Sequence, residues 1–170
     1  EWKKRGAQKK LRSVFSIHSE AVTLLVAEDS KVQSINGLKG KTVNIGDLGS
    51  GMRTNATHVL ATANIDAKKD ITAESLKTSE APKMLQDNRI DAFFYTGGHP
   101  SGMITEATSG KRKVRFVPIT GMDSLLKKYP YYAKTEIPVK LYQMAKNKKN
   151  VPTMNTLNMT PVDKMPTMLQ

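Results

Sequence analysis

Residues 41–54 read KTVNIGDLGSGMRT, and this stretch decides the predicted fold. Its first part, Thr42 to Ile45, is a short β-branched run bounded by glycine, which is typical of a buried strand. From Met52 to Ala63 apolar residues recur with the spacing of one helix face, and Ser50 is placed to cap that helix. The stretch therefore predicts a strand, a glycine-rich turn and a helix in direct succession.

The turn inside this stretch has the composition of an anion-binding corner. Gly46, Gly49 and Gly51 permit a tight turn and a close approach of the backbone to another group. The first N–H groups of the following helix point into the turn, where the helix dipole adds partial positive charge. Arg53, on the first helical turn, adds a full charge and a planar fork that suits a carboxylate. The alternative is that this turn simply connects a strand to a helix and binds no ligand.

A second glycine-rich turn follows the most convincing strand of the chain. That strand is Ile90–Tyr95, and Gly97 and Gly98 come directly after it. A helix over 101–109 and another buried strand over 114–119 then follow. Strands that alternate with helices predict an α/β fold with a mostly parallel sheet flanked by helices. Ligands bind such sheets beyond the carboxyl ends of the strands, where both glycine-rich turns fall.

The rest of the pattern completes this arrangement. Two apolar runs separated by His18-Ser19-Glu20 suit either two strands or one long strand that passes between two sheets. After Ile119 the pattern weakens, and the last twenty residues include no segment that predicts a helix. The further predicted elements are strands 14–17, 21–27 and 71–76, a short helix 34–39, a helix from 78 that ends at 88–89, and a helix 123–128.

Composition excludes several classes of protein and leaves others open. The chain has 170 residues, 38% hydrophobic and 25% charged, which is ordinary for a globular protein with a substantial core. It has no cysteine, its three histidines lack metal-ligand spacing, and no apolar run is long enough to span a membrane. A cleavable signal peptide is also absent from this sequence. From the lack of cysteine and of metal-ligand spacing we expect no metal site, and we expect no cofactor.

The net charge of +12 admits several partners: nucleic acid, an anionic surface or an acidic solute. The positive residues cluster at 3–5, 9–10, 111–113 and 146–149, in predicted tails and turns without interleaved aromatic residues. This placement favours a solvated basic surface over a nucleic-acid interface. A basic nucleic-acid- or surface-binding protein remains the alternative function.

Catalytic motifs are incomplete in this sequence. Ser50 lies between two glycines, but the Gly-x-Ser-x-Gly spacing of a nucleophile elbow is absent. The same turn lacks the lysine and hydroxyl of a phosphate-binding loop, and it is not a dinucleotide fingerprint. We therefore expect no enzyme activity and assign no catalytic residue.

Three further polar residues are candidates for a binding site. His99 can donate a hydrogen bond to a ligand or bond to nearby backbone. Tyr95 can present its hydroxyl at the end of its strand or belong to the core. Glu20 interrupts an apolar run, which suits a role in a site or a hinge.

The order of these motifs resembles that of the TAXI-type solute-binding proteins, the substrate receptors of TRAP (tripartite ATP-independent periplasmic) transporters. Residues 11–20, LRSVFSIHSE, resemble the family's strand that ends in Tyr-Pro-Glu, and residues 36–46, NGLKGKTVNIG, resemble its DLKGKRVNIG segment. Residues 90–100, IDAFFYTGGHP, and 128–133, KYPYYA, match two further signatures. Ser19 and Leu48 replace prolines that are usual in the family.

The resemblance implies one lobe of a two-lobed periplasmic binding fold of type II, with hinge strands. Residues 1–20 would be a basic lead-in and hinge strand, residues 21–120 the solute-binding lobe, and residues 121–170 a truncated return segment toward a first lobe absent from this sequence. The implied ligand-binding residues are Gly49, Ser50, Gly51, Arg53, Thr54, Tyr95, Gly97, Gly98, His99 and Glu20.

The implied function is an exported, periplasmic receptor that delivers a small carboxylate or an amino acid such as glutamate to TRAP permease subunits. No nucleic-acid partner is expected. Two copies can also form a homo-oligomer, or exchange elements as a dimer, to cover the exposed face of the lobe. A single lobe should bind its solute weakly, because it cannot surround it.

Overall fold

The central strand of the molecule is β1, Glu20–Ala27, which has a partner on each side and helices over both faces. The computed structural model describes residues 18–142 and 145–156. The predicted strand 14–17, the basic lead-in and the end of the chain from residue 157 lie outside these residues. The other strands are β2 Thr42–Asn44, β3 Thr72–Glu74, β4 Ala92–Gly97, β5 Val114–Phe116, β6 Tyr132–Ile137 and β7 Val151–Thr156.

Four α-helices and two short 3₁₀ turns connect these strands in the described residues. Most begin and end within one or two residues of the predicted positions, as helix boundaries usually do. The helices are α1 Gly51–Thr62, α2 Ala81–Gln86, α3 Gly102–Ser109 and α4 Asp123–Lys128, and the 3₁₀ turns are Ile35–Leu38 and Val139–Leu141.

The strands form one seven-stranded sheet in the order β3-β2-β4-β1-β7-β6, and β5 pairs with β1 beside β7. The predicted α/β class, a sheet flanked by helices, is confirmed. The parallel pairing expected from strand–helix alternation is found between β2, β3 and β4. By contrast, β1 pairs antiparallel with β4, β5 and β7, and β6 pairs antiparallel with β7. Strands β4, β5 and β6 each follow a helix, and β7 follows the second 3₁₀ turn, so the alternation of strands and helices does not by itself reveal which pairs are antiparallel.

Both faces of β1 are buried, which explains its unbroken apolar run. On one face Val22 and Leu24 join a core to which α1 contributes Ala56 and Val59. On the other face Leu25 joins a second core, to which β4, α2 and α3 contribute apolar side chains. The two layers of helices hold the strands firmly, so the ends of the strands are fixed in position. None of the described helices is long and apolar enough to cross a membrane.

The pairing of β1, β2 and β4 sets where the strand ends meet. Ala21 of β1 lies opposite Gly97 of β4, so the amino end of β1 lies beside the carboxyl end of β4. Asn44, the last residue of β2, is in register with Phe93 near the start of the parallel β4, so β2 runs toward the same side of the sheet. We call this side of the sheet the carboxyl edge. Strands β6 and β7, which come from residues 121–170, belong to the same sheet as the rest.

Candidate functional site

The carboxyl edge brings the two glycine-rich turns and Glu20 together. The turn after β2 leads into α1, and the turn after β4 leads into α3. Glu20, half-buried at the start of β1, lies next to the pair formed by Ala21 and Gly97. The residues predicted from sequence thus lie along one side of one sheet, although they are far apart in the chain.

The turn after β2 is built around Ser50, as the sequence predicts. The Ser50 hydroxyl accepts a hydrogen bond from the Arg53 N–H at 3.1 Å and donates one to the Asp47 carbonyl at 2.9 Å. Gly46 has φ +95°, and a Cβ there would lie 2.7 Å from Met52 Cε, so a side chain fits neither the backbone conformation nor the space. The hydroxyl of Ser50 is therefore committed to shaping the corner.

The amino end of α1 retains free donors. In the described part of the chain, the N–H groups of Gly51 and Met52 have no hydrogen-bond acceptor. A Cβ on Gly49 or Gly51 would have nothing within 4 Å, so space lies open beside this turn. Thr54, exposed on the first turn of the helix, donates its hydroxyl to the Ser50 carbonyl at 3.3 Å. The corner thus keeps the unpaired donors that an anion needs.

Arg53 lies across this corner with one nitrogen engaged. Its Nη1 donates to the Gly46 carbonyl at 2.9 Å and to Ser75 Oγ at 2.7 Å. Within the described residues, the other guanidinium nitrogens, Nε and Nη2, make no hydrogen bond. These two contacts fix the plane of the guanidinium, and Nε with Nη2 remains as a side-on pair of donors for a carboxylate.

The turn after β4 is closely packed around Tyr95. A Cβ on Gly97 would lie 2.2 Å from the Tyr95 hydroxyl oxygen, so the tyrosine occupies the space of a side chain at position 97. A Cβ on Gly98 would lie 3.4 Å from Nδ1 of the exposed His18. Glycine at position 97 therefore serves the close approach of Tyr95, whereas a Cβ at position 98 would meet His18 only at ordinary van der Waals distance.

Both ring nitrogens of His99 are engaged inside the lobe. Nε2 lies 3.1 Å from Thr23 Oγ1, and Nδ1 lies 2.6 Å from the Tyr142 hydroxyl. Tyr142 Oη also accepts the Ser101 N–H at 2.8 Å, and its own proton can be donated to His99 Nδ1. With that orientation of the hydroxyl, His99 is neutral and carries its proton on Nε2, facing Thr23 Oγ1. Burial lowers the pKa of His99, which agrees with the neutral form, and burial raises the pKa of Tyr142.

A second buried network lies behind the first corner, and the sequence did not reveal it. Asn55 donates from Nδ2 to Thr96 Oγ1 at 3.3 Å and accepts from the Tyr132 hydroxyl at 2.7 Å. The Tyr132 hydroxyl also lies 2.9 Å from His58 Nδ1, and burial raises the pKa of Tyr132. His58 in turn stacks on Tyr129, with ring centroids 4.5 Å apart. This network fixes α1, and with it the corner, to the ends of β4 and β6.

Asn44 is a further buried polar residue that supports the corner. Its Oδ1 accepts the N–H of Gly46 at 3.2 Å and the N–H of Leu76 at 3.0 Å. Its Nδ2 is buried without a hydrogen-bond partner among the described residues. The sequence does contain a signal for this role: Asn44 is a polar residue between two apolar ones, Val43 and Ile45, in a predicted buried strand. The described residues contain no group of three side chains suited to hold a metal ion.

Comparison with known proteins assigns the chain to a family. The sequence model of the NMT1-like family matches residues 1–166, and the chain therefore belongs to that family.

Similar solved structures include those of periplasmic binding proteins. The aliphatic sulphonate-binding protein SsuA from Escherichia coli is 19% identical, with a TM-score of 0.49, and the match covers 82% of this chain and 39% of SsuA. SsuA from Xanthomonas axonopodis pv. citri, bound to MOPS, is 29% identical over 43% of this chain and 25% of that protein, with a TM-score of 0.40. An ancestral arginine-binding protein bound to arginine is 17% identical over 82% of this chain and 47% of its own length, with a TM-score of 0.44. This chain thus spans less than half of each of these proteins.

Proposed function

We propose that this member of the NMT1-like family is a solute-binding lobe whose carboxyl edge holds the carboxylate of a small solute. The observation that carries the proposal is the corner at the start of α1. There the N–H groups of Gly51 and Met52 are unpaired among the described residues, beside a guanidinium with Nε and Nη2 free. Backbone donors, the helix dipole and an oriented Arg53 together favour a carboxylate over a neutral group.

The residues along the edge have different roles in this proposal. Gly49 and Gly51 leave space for the ligand, and Ser50 holds the shape of the turn. Arg53 and Thr54 contact the carboxylate. The turn after β4, with Tyr95, Gly97, Gly98 and His99, forms the opposite wall, and the carboxylate of Glu20 suits the ammonium group of an amino acid.

In this proposal His99 supports the wall of the site and does not bond to the ligand. Its two nitrogens are bonded to Thr23 and Tyr142, so a ligand contact would cost one of these bonds. Its ring packs edge-on against Tyr95 and Tyr142, with centroids 6.1 Å and 5.6 Å away, and so holds the second wall. The first wall is therefore the one that binds charge, and the second shapes the site.

The complete receptor would be extracytoplasmic and would deliver the solute to a TRAP-type permease, with glutamate as a representative solute. The resemblance of residues 36–46 and 90–100 to the TAXI-type receptors supports this assignment. In a two-lobed receptor each lobe makes part of the contacts, and closure selects the bound form. Leu48 is 79% exposed at the tip of the first turn, on the side that a covering lobe would contact.

A thermal-shift screen of small carboxylates and amino acids tests the proposal. A solute at ten times its dissociation constant stabilises the chain by about 1.4 kcal/mol, which is measurable even for weak binding. We expect glutamate and related carboxylates to raise the melting temperature of the wild type, and Arg53→Gln to abolish that rise.

Arg89→Gln is the matched control, because Arg89 is exposed and precedes β4, at the opposite end of that strand from the carboxyl edge. It should keep the full thermal shift. An equal shift in wild type and Arg53→Gln would contradict the proposed carboxylate site. Tight, submicromolar binding of glutamate to this chain alone would contradict the assignment as half of a two-lobed site.

A further inference from the structure

Two basic clusters that are separate in the sequence meet on the side of the sheet opposite the carboxyl edge. Strand β5 pairs with the carboxyl end of β1, so residues 111–113 lie far from the solute site. The Lys146 N–H donates to the Val114 carbonyl at 3.2 Å, which brings residues 146–149 against β5. The side chain of Asn147 fixes this contact, because it accepts the Phe116 N–H at 2.8 Å and donates to the Phe116 carbonyl at 3.0 Å.

We propose that this surface, which we call the lysine face, docks onto a membrane that carries anionic lipid headgroups. The inference goes beyond the proposed solute site and does not depend on it. The lysine face consists of Lys111, Lys113, Lys140, Lys146, Lys148 and Lys149.

The arginines and the lysines of this region are used differently. Arg112 donates to the Leu85 carbonyl at 2.8 Å and lies 3.7 Å from Asp29, and Arg115 donates to the carbonyls of Ser30 and Val32. These arginines are therefore part of the internal structure. Among the described residues, no lysine of the lysine face forms an ion pair. Their charges are left for a partner outside the lobe.

The centre of the lysine face is a cleft without acidic residues. The cleft has a volume of about 380 Å³ and is lined by Lys140, Lys148 and Lys149 with Asn147 and Asn150. An acidic residue, Glu136, lies at its rim, where its Oε2 accepts a hydrogen bond from Asn150 Nδ2 at 3.4 Å. A phosphate group placed there would meet the positive charges of Lys140, Lys148 and Lys149 in a cleft whose lining contains no acidic residue.

Leu141 distinguishes a membrane from other anionic partners. It is 40% exposed, next to Lys140, and is one of three large apolar side chains exposed to this degree in the described residues. An apolar side chain surrounded by lysines can enter the headgroup region while the lysines contact lipid phosphates. Nucleic acid is less well suited, because the tyrosine of the cleft, Tyr142, is 2% exposed and offers no ring for a base.

The lysine side chains also lack fixed geometry, which suits a fluid surface. No hydrogen bond to another described residue holds the ammonium groups of Lys140, Lys148 or Lys149 in place. A defined acidic protein partner would gain from oriented donors, whereas mobile headgroups adapt to flexible lysines. Docking through this face leaves the carboxyl edge free, since the two lie at opposite ends of β1.

The test is co-sedimentation of the full chain with vesicles. We expect binding to vesicles that mix phosphatidylcholine with phosphatidylglycerol, loss of binding at high salt, and no binding to pure phosphatidylcholine. Lys148→Glu/Lys149→Glu should weaken the partition constant by about tenfold or more. Lys68→Glu/Lys69→Glu, an exposed pair before the edge strand β3 with the same charge change, should weaken it about twofold at most.

Leu141→Ala should reduce the partition constant several-fold while leaving its salt dependence unchanged. Equal binding to pure phosphatidylcholine, or equal losses in the two lysine pairs, would overturn the proposal. Binding of duplex DNA through Lys148 and Lys149 at near-physiological salt, without vesicle binding, would overturn it in favour of nucleic acid. Complete competition of vesicle binding by inorganic phosphate would overturn it in favour of a free-anion site.

Discussion

The turn after β2 and the turn after β4 carry the same sequence signal but differ in how their polar groups are used. Each is rich in glycine, follows a buried strand and leads into a helix at the carboxyl edge. At the first turn, the N–H groups of Gly51 and Met52 are unpaired among the described residues and Arg53 has donors free. At the second, His99 and the Ser101 N–H are bonded to Tyr142, within the lobe.

The difference shows that glycine spacing locates the edge of a site without distinguishing a binding wall from a supporting one. Gly46 and Gly49 are needed for their backbone conformation, with φ +95° and +83°. Gly97 is needed because the Tyr95 hydroxyl fills the adjacent space. The same residue type therefore serves an open corner in one turn and a closed packing arrangement in the other.

The largest expected effect comes from opening the second turn with Tyr142→Phe. This substitution leaves the buried Ser101 N–H and His99 Nδ1 without their partner. The free energy of unfolding, measured with urea, should fall by about 2–3 kcal/mol. Tyr95→Phe is the matched control, because the Tyr95 hydroxyl makes no hydrogen bond within the described residues, and it should cost less than about 1 kcal/mol. Equal losses would mean that the second turn is not held by Tyr142.

A smaller loss of stability is expected when alanine replaces either of the two glycines of the first turn that have positive φ, Gly46 and Gly49. Gly46→Ala should lower the free energy of unfolding by about 2 kcal/mol, because backbone strain adds to tight contacts of the new Cβ with Arg53 N and Ser50 Oγ, each at 3.2 Å. Gly49→Ala should cost only about 1 kcal/mol, since a Cβ there has nothing within 4 Å. A larger loss at position 49 than at position 46 would contradict the description of the corner as open.

The pH dependence of stability should report on His99 and is the smallest effect. Its pKa is lowered in the folded state, so the unfolded chain binds the proton more readily. The stability from neutral His99 is fully present above the unfolded pKa of about 6.5 and is lost as pH falls toward the folded pKa. The melting temperature of the wild type should therefore fall between pH 7.5 and 5, and His99→Gln should fall less. Parallel curves would contradict this account, because they would show that folding does not lower the pKa of His99.

Local signals in the sequence predicted the elements and the place of the site. The β-branched run before Gly46 became β2, and Ser50 caps α1 as expected. The turns after β2 and β4 fall on the same side of the sheet because the two parallel strands run in the same direction. These features depend on neighbouring residues in the chain, which a single sequence displays.

The hydrogen-bond networks and the lysine face could not be predicted in this way. Tyr132 reaches Asn55 from 77 residues away, and His99 reaches Tyr142 across 43 residues. Neither pair has a spacing that marks it, because tertiary packing alone brings the partners together. The meeting of the lysines at 111–113 and 146–149 depends likewise on the contact of Asn147 with Phe116.

The central claim is that the first turn binds the carboxylate and the second supports it. A two-dimensional ¹H–¹⁵N spectrum of the chain, titrated with glutamate, tests this claim residue by residue. The claim predicts weak, saturable shifts at the amides of Gly51 and Met52 and at Arg53 Nε, with small shifts at Ser101 and Gly102. The opposite pattern, with the main shifts at Ser101 and Gly102 and none at Gly51, would contradict it.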